Sequence, residues 1–235
     1  MPAVRICYQT LEFDDVDIHV CTLRDRQQFA DDGRQAENLG ICSASWPLFG
    51  VIWKSGEVLA RLMLERDIAG LRILEVGCGI GLASLVLSHR HADVTATDHH
   101  PEAGAYLARN AALNNLDAIP YFRTGWHESN SILGRFDLIV GSDILYDSGT
   151  VSLLATFIER HARASCEIII VDPGRGLQGR FKRAMIALGY TLEQSRTASC
   201  SLPKGEDRSR ILTFKRHAGD TGRASPADGA PTVTA

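Results

Sequence analysis

A glycine-rich segment between an apolar run and a helical pattern constrains the fold of this chain more than any other feature. The run Ile73–Val76 is followed by Gly77, Gly79 and Gly81, and Leu82–His89 then continues with a helical pattern. Glycine allows the backbone to turn sharply and to pass close to a ligand, where a Cβ atom would clash. The segment therefore predicts a strand, a tight turn and a helix, with a ligand outside the carboxyl end of the strand.

Short apolar runs and helical patterns alternate from residue 71 to residue 188. Such alternation predicts an α/β fold with a doubly wound, mostly parallel sheet of seven strands. The last two strands, Thr191–Arg196 and Arg210–Lys215, have only a loop between them, so we expect a hairpin and an antiparallel strand at the C-terminal edge. The other predicted strands are Leu71–Val76, Ala92–Thr97, Ile119–Arg123, Phe136–Val140 and Glu167–Val171, and the predicted helices are Leu82–His89, Pro101–Asn114, Val151–Ala164 and Gly179–Leu188.

The N-terminal part has a different pattern. Arg5–Glu12 and Val16–Leu23 are rich in β-forming residues and predict a hairpin that turns at Asp14 and Asp15. Asp25–Asn38 is polar and charged, which is compatible with a helix or a mobile loop.

A helix is predicted next, at Lys54–Arg66, where apolar residues share one face and Ser55 is the expected N-cap. We divide the chain into a hairpin and linker (residues 1–45), a ligand-binding domain (46–217) and a disordered tail (218–235). The tail consists largely of Ala, Gly, Pro, Ser and Thr, which cannot offset the entropy of their own ordering.

Composition excludes several classes of function. The formal net charge of −3 argues against general nucleic-acid binding, which needs a field of Lys and Arg. No stretch reaches the roughly 20 apolar residues of a membrane-spanning helix, and the N-terminus has no apolar run typical of a signal peptide. The six cysteines form no C-x-x-C pair, so we expect free thiols, a cytoplasmic location and no metal site.

The spacing of the glycines distinguishes between two classes of cofactor. A dinucleotide fingerprint reads G-x-G-x-x-G, whereas here the order is G-x-G-x-G, preceded by Glu75. A carboxylate beside the pocket suits the cationic amino-acid end of S-adenosylmethionine and would repel a pyrophosphate. Asp98 ends the second predicted strand and can accept both hydroxyls of a ribose. Asp98 therefore supports a nucleoside ligand, which could be either a dinucleotide or S-adenosylmethionine.

Several segments together resemble the seven-strand protein-lysine methyltransferases, a group that includes the electron-transfer-flavoprotein β-subunit lysine methyltransferases. The resemblance covers most of residues 46–176 and implies S-adenosylmethionine as cofactor for the domain 46–217. The matching pieces are Trp53 before the first long helix, the glycine turn, Thr97-Asp98, Gly125-Trp126, Phe136–Tyr146 and Val171–Arg175.

The resemblance also implies roles for particular residues. Asp143 and Tyr146 would lie at the reacting nitrogen of the substrate, Trp126 against the adenine, and Ser142 beside the cofactor. Trp53 would line the entrance shared by cofactor and substrate. The residues themselves agree in part, because Asp143 follows an apolar strand and a carboxylate there can hold an amine. The aromatic side chains can contact the adenine or the sulfonium cation.

Three functions remain open at this point. The first is methyl transfer to a lysine side chain of a protein substrate. The second is methyl transfer to nitrogen or oxygen of a small molecule, which would share every cofactor feature. The third is a non-catalytic or NAD-type nucleotide-binding protein, against which the glycine spacing and Glu75 argue. Fold and cofactor do not by themselves identify the methyl acceptor.

Overall fold

The computed structural model describes residues 5–24, 31, 33–129, 131–197 and 209–217. The strands are β1 (Ile6–Phe13), β2 (Val16–Leu23), β3 (Arg72–Val76), β4 (Asp93–Asp98), β5 (Tyr121–Arg123), β6 (Phe136–Ser142), β7 (Ala162–Asp172), β8 (Thr191–Thr197) and β9 (Arg210–Arg216). The helices are α1 (Gln35–Asn38), α2 (Lys54–Glu65), α3 (Leu82–His89), α4 (Ala103–Leu113), α5 (Thr150–His161) and α6 (Gln178–Ala187). No described helix is long and apolar enough to cross a bilayer.

Seven strands form one sheet in the order β5-β4-β3-β6-β7-β9-β8, and β1 and β2 form a separate hairpin. The strands from β3 to β7 pair in parallel, and β9 runs antiparallel to both of its neighbours. The chain extends the sheet in one direction from β3 to β5 and then in the other from β6. The strand order therefore reverses between β3 and β6, and in doubly wound folds ligands bind in the crevice outside the carboxyl ends of the strands at this point.

The predicted α/β fold is confirmed, with one correction to the position of the antiparallel strand. The last strand of the chain, β9, is antiparallel as expected, but it lies between β7 and β8, so β8 forms the edge. The residues of β9 are consistent with this order: Ile211 is buried in the core on one face of the sheet, and Leu212 and Phe214 are buried in the core on the other. An edge position would leave one side of such a strand exposed to water.

Helices cover both faces of the sheet, and alternate residues of β7 contact the two layers. Ile169 and Val171 belong to the core shared with α2 and α3, whereas Ile168 and Ile170 face α5 and α6. This double burial explains why the central strands have nearly continuous apolar sequences.

The hairpin docks on α4 through two asparagine side chains. Asn110 accepts a hydrogen bond from the backbone N–H of Cys21 (2.7 Å) and donates to the carbonyl of Ile80 (3.1 Å) in the glycine turn. Asn114 accepts from the N–H of His19 (2.8 Å) and donates to its carbonyl (2.7 Å). The hairpin also contributes to the core that α2 and α3 share, with the buried residues Phe13, Ile18, Val20 and Leu23.

Three local predictions are wrong at helix ends. Ser55 is not an N-cap: the carbonyl of Trp53 accepts the first helical bonds, and the Ser55 hydroxyl is buried without a partner among the described residues. The helix predicted to begin at Pro101 begins instead at Ala103, and Pro101 lies in the loop turn before it. The helix expected to reach Ala164 ends at His161, because Ala162 pairs with Phe136 at the start of β6.

Two further predictions concern less regular segments. Within the polar segment after β2, α1 is a single short helical turn, and residues 25–30 and 32 lie outside the described part of the chain. The tail predicted at 218–235 also lies outside it.

Candidate active site

The glycine turn connects β3 to α3 with very little space around it. Gly77 and Gly79 have φ values of 65° and 55°, in the left-handed region that favours glycine. A Cβ atom on Gly79 would lie 2.8 Å from the carbonyl oxygen of Phe49, and one on Gly77 would lie 2.7 Å from the side chain of Ile144. The turn therefore needs glycine, and the segments around Phe49 and Ile144 lie directly against it.

Asp98, at the end of β4, connects the glycine turn to the next loop. Its Oδ2 atom accepts from the N–H of Gly79, and its Oδ1 atom accepts from the N–H of His100, both at 2.8 Å. Burial raises the pKa of this carboxyl above its ordinary value, while the two backbone donors lower it. Each carboxylate oxygen has two lone pairs, so Asp98 can still accept hydrogen bonds from both hydroxyls of a ribose.

Glu75 lies beneath the turn rather than along its open side. Its side chain is buried, and Oε2 accepts hydrogen bonds from the backbone N–H of Ser84 (2.8 Å) and from the Ser84 hydroxyl. A carboxylate at this place satisfies a free N–H group in the first turn of α3. Burial raises the pKa of Glu75 to about 7, although the bonds from Ser84 oppose the shift.

Trp53 precedes α2, and Ser142 ends β6 close to the first turn of that helix. The indole N–H of Trp53 donates to the carbonyl of Leu48 (2.9 Å), which fixes the ring just before the helix. In the first turn of α2, a Cβ atom on Gly56 would lie 3.6 Å from the hydroxyl of Ser142. Trp126, which follows β5, is partly buried and packs against the core on the α5 and α6 side.

Asp143 follows β6 in a left-handed conformation, with φ of 54°. A non-glycine residue in this region is uncommon and marks a position where structure overrides local preference. The side chain of Asp143 is only 7% exposed, and both of its oxygens are bonded to Arg175. Tyr146, three residues later, is 53% exposed and faces solvent. The structure thus brings Asp143 to the edge of the sheet that carries the glycine turn.

Arg175 is a site residue that sequence analysis did not assign. Its Nε atom lies 2.7 Å from Asp143 Oδ1, and its Nη2 atom lies 3.0 Å from Asp143 Oδ2. The guanidinium also lies 5.9 Å from the ring of Trp53. The only sequence signal was its place at the end of the segment Val171–Arg175, which gives no indication of a partner 32 residues earlier.

The histidines beside Asp98 pack against other residues. The ring of His100 stacks on Phe49 with centroids 3.9 Å apart, and burial lowers its pKa to about 4. His99 is within hydrogen-bond distance of the carbonyl of Leu39 (3.2 Å), and its ring lies edge-on to His127. Within the described residues, no group of three or more His, Cys, Asp and Glu side chains could hold a metal ion.

Two open clefts lie away from this edge of the sheet. One of about 430 Å³ lies at the opposite edge, between the segments 68–72 and 90–93, and the other, of about 320 Å³, lies beside α2 and β9. Neither cleft is lined by any of the residues predicted for the site. The predicted glycine turn (residues 77–81), Asp98 and Asp143 follow or end β3, β4 and β6, so the candidate site is the crevice expected at the carboxyl ends of these strands.

A doubly wound seven-stranded sheet, with a glycine turn at its switch point and a carboxylate ending the next strand, has the fold of the class I methyltransferases. The chain belongs to the lysine methyltransferase family, whose profile matches residues 45–178.

Individual relatives are methyltransferases with different acceptors. The chain is 31% identical over 137 residues to the electron transfer flavoprotein beta subunit lysine methyltransferase of Xenopus laevis, covering 55% of this chain and 53% of that protein. It is 27% identical over 170 residues to the magnesium-protoporphyrin O-methyltransferase of Rhodobacter capsulatus, covering 70% of each. The chain spans about half the length of the flavoprotein-directed relatives that it matches.

A solved structure shows the same fold. Magnesium protoporphyrin IX methyltransferase of Synechocystis PCC 6803, with bound S-adenosylmethionine, superposes with a TM-score of 0.54 at 19% identity, covering 69% of this chain and 77% of that one. S-adenosylmethionine is the cofactor of this class, and the residues present fit it. The glycine turn lies at the switch point of the sheet, where ligands of doubly wound folds bind, and Asp98 beside it keeps free lone pairs for a ribose.

Proposed function

We propose that this protein transfers a methyl group from S-adenosylmethionine to the side-chain nitrogen of a lysine in a protein substrate. The observation that carries the proposal is the position of Asp143 relative to the glycine turn. Ile144, the next residue, lies directly against Gly77, so a carboxylate that can orient an amine stands beside the cofactor crevice. Membership of the lysine methyltransferase family supports the same acceptor.

The proposed roles combine the resemblance to the family with the positions of the side chains. Bound S-adenosylmethionine supplies an electrophilic methyl group on a sulfonium. Asp98 would hold the ribose hydroxyls, and the backbone of the glycine turn would pass along the cofactor. Trp126 would lie against the adenine, and Trp53 and Ser142 would line the entrance. Glu75 would support the site from beneath the glycine turn, because its hydrogen bonds with Ser84 hold the start of α3 in place.

Methyl transfer requires the nucleophile, the methyl carbon and the sulfur to lie in line, so positioning is the main task of the protein. Asp143 would orient the acceptor nitrogen, and Tyr146 would provide an aromatic wall and a hydroxyl at the open side. A lysine has a reference pKa of about 10.4, so its amine must lose a proton before it can attack. The surroundings of Asp143 must therefore not stabilise the ammonium form strongly.

A second candidate is methyl transfer to a small molecule. The match to the protoporphyrin O-methyltransferase favours it, because that match covers a larger share of both chains than the flavoprotein-directed relatives do. The cofactor residues would be the same in both cases, and only the acceptor would differ. A cytoplasmic location and the absence of general nucleic-acid binding also remain predictions.

The test uses S-adenosylmethionine with a labelled methyl group. The purified protein is mixed with lysate of its own host, and the products are separated by size. Asp98→Ala is the inactive control, and Asp93→Ala, an exposed carboxylate at the other end of β4, is the matched control. Labelled protein bands are then hydrolysed, and the amino acids are separated.

Label recovered as methyllysine supports the proposal and identifies the acceptor protein for mass spectrometry. Label found only in the small-molecule fraction contradicts it and favours the second candidate. Label in protein on any residue other than lysine also contradicts it.

A further inference from the structure

The guanidinium of Arg175 is paired with the carboxylate of Asp143 at the candidate site. The two nitrogen–oxygen distances, 2.7 and 3.0 Å, define a bidentate fork, which is the strongest arrangement of a charge-assisted hydrogen bond. The side chain of Arg175 is 43% exposed, whereas that of Asp143 is 7% exposed. The hydrogen bonds to Asp143 raise the pKa of the guanidinium further above its ordinary value.

The loop that carries Arg175 is anchored by a second carboxylate. Asp172 ends β7 and is fully buried, and its Oδ2 atom accepts hydrogen bonds from the N–H of Gly174 (2.9 Å) and from the side-chain amide of Gln178. These bonds join the end of β7 to the start of α6 and so fix the residues between them. The loop that presents Arg175 to Asp143 is therefore held by hydrogen bonds on both sides of this residue.

The pairing of Asp143 with Arg175 affects whether an acceptor amine at the site is protonated. A lone carboxylate within about 4–6 Å of a lysine favours the charged ammonium by roughly 1–3 pKa units, and an ammonium has no lone pair with which to attack. A carboxylate paired with a guanidinium attracts a cation much less, because the two opposite charges largely cancel. It still has lone pairs with which to accept a hydrogen bond from an amine.

We propose that Arg175 is a positioning residue that acts through Asp143: it holds the carboxylate toward the acceptor and offsets its charge, so that the acceptor amine is oriented without being held as an ammonium. The inference rests on the proposed function only in requiring an amine as acceptor.

The test measures the charge at the acceptor position without needing the acceptor protein. Sinefungin is an analogue of S-adenosylmethionine that carries an ammonium-bearing carbon in place of the methyl sulfonium, whereas S-adenosylhomocysteine has no such group. The ratio of the two affinities, measured by calorimetry at pH 7, reports how strongly the site attracts an ammonium. The other charged groups of the site are the same in every variant, so a change in the ratio reports the pair.

We expect Arg175→Gln to raise the affinity for sinefungin relative to S-adenosylhomocysteine about tenfold, because the carboxylate of Asp143 is no longer offset. Arg175→Lys keeps the charge and should leave the ratio within about threefold of the wild-type value. Arg183→Gln removes an equal charge from an exposed position of α6 and should leave the ratio unchanged.

Asp143→Asn provides the opposite test, and it keeps the proposal falsifiable if loss of Arg175 prevents folding. It leaves the guanidinium without its counter-charge, so the ratio should fall about tenfold. The inference is overturned if the ratio of sinefungin to S-adenosylhomocysteine affinity in Asp143→Asn equals that of the wild type. It is also overturned if a folded Arg175→Gln variant has the wild-type ratio. Failure of the proposed function would instead be seen as the absence of labelled methyllysine, which does not affect these ratios.

Discussion

The backbone N–H of Gly79 donates a hydrogen bond to Asp98 Oδ2 over 2.8 Å, so the carboxylate at the end of β4 is bonded to the turn that follows β3. The other oxygen accepts from the N–H of His100. The two backbone donors fix the orientation of the carboxylate, which reduces the entropy lost when it binds a cofactor.

Replacing this carboxylate should weaken cofactor binding. Asp98→Ala removes the proposed ribose acceptor and two bonds that hold the neighbouring loops, so the Kd for S-adenosylmethionine should rise about tenfold or more. Calorimetry or equilibrium dialysis would measure it, with Asp93→Ala as the matched control. An unchanged Kd in Asp98→Ala would refute the ribose assignment.

Substitution of Gly79 should affect both folding and binding. Gly79→Ala places a Cβ atom 2.8 Å from the carbonyl oxygen of Phe49, at a φ of 55°. We expect a loss of about 2 kcal/mol or more in unfolding free energy, together with loss of cofactor binding. Gly70→Ala is the control: its φ of 71° carries similar strain, but nothing lies within 4 Å of the new atom. Equal losses in the two variants would show that crowding at the turn is unimportant.

Asp143 should be needed for transfer but not for cofactor binding. Asp143→Ala removes the group proposed to orient the acceptor and leaves the glycine turn and Asp98 untouched. We expect methyl transfer to fall below detection while the Kd for S-adenosylmethionine stays within about threefold of the wild-type value. Asp117→Ala, an exposed carboxylate after α4, serves as the control. Loss of cofactor binding in Asp143→Ala would assign this residue to the cofactor instead.

The buried Glu75 predicts a specific dependence of stability on pH. Its pKa is raised to about 7 in the folded protein, against an ordinary value of 4.5. Between these pH values the folded state retains the proton and the unfolded state loses it, so the unfolding free energy should fall as the pH rises through this range and level off above 7.

Glu75→Gln cannot titrate but can still accept from the N–H of Ser84. The difference in unfolding free energy between this variant and the wild type should therefore grow by up to about 3 kcal/mol from pH 4.5 to pH 7. Urea unfolding at several pH values would measure it, with the exposed Glu65→Gln as control. A difference that does not change with pH would show that Glu75 ionises normally.

The asparagines of α4 should stabilise the hairpin unequally. Asn110 is fully buried, and Asn110→Ala would leave the N–H of Cys21 and the carbonyl of Ile80 without their partner. We expect a loss of about 1–3 kcal/mol in unfolding free energy. Asn114→Ala should cost less, because the backbone of His19 that it bonds is exposed and water can replace the asparagine. Chemical unfolding that shows equal losses would contradict this difference.

The sequence was sufficient to predict the order of strands and helices, because a strand buried on both faces and a helix with one apolar face have different periodicities. Helix ends were less predictable. The segment after α5 has residues compatible with a helix, yet Ala162 is extended because it pairs with Phe136 across the sheet. Such pairing depends on the assembled fold and overrides local preference.

For the site, too, features determined by local sequence were predictable, whereas contacts between distant segments were not. The glycine turn and Asp98 could be found because their chemistry is local: each follows a strand, and each is defined by its own residue type. The bond between Asp143 and Arg175 could not be found, because it joins loops after two different strands. The sequence likewise did not indicate that Glu75 would lie under α3, since this depends on the facing position of Ser84.

The docking of the hairpin on α4 has a consequence for association between chains. An open strand edge carries unpaired N–H and carbonyl groups and can add a strand from another molecule, which is a common route to aggregation. The edge of β2 that faces away from β1 meets the side-chain amides of Asn110 and Asn114, which offer the donors and acceptors that another strand would offer. A helix thus covers this edge without extending the sheet, and at His19 and Cys21 it occupies backbone groups that a foreign strand would need.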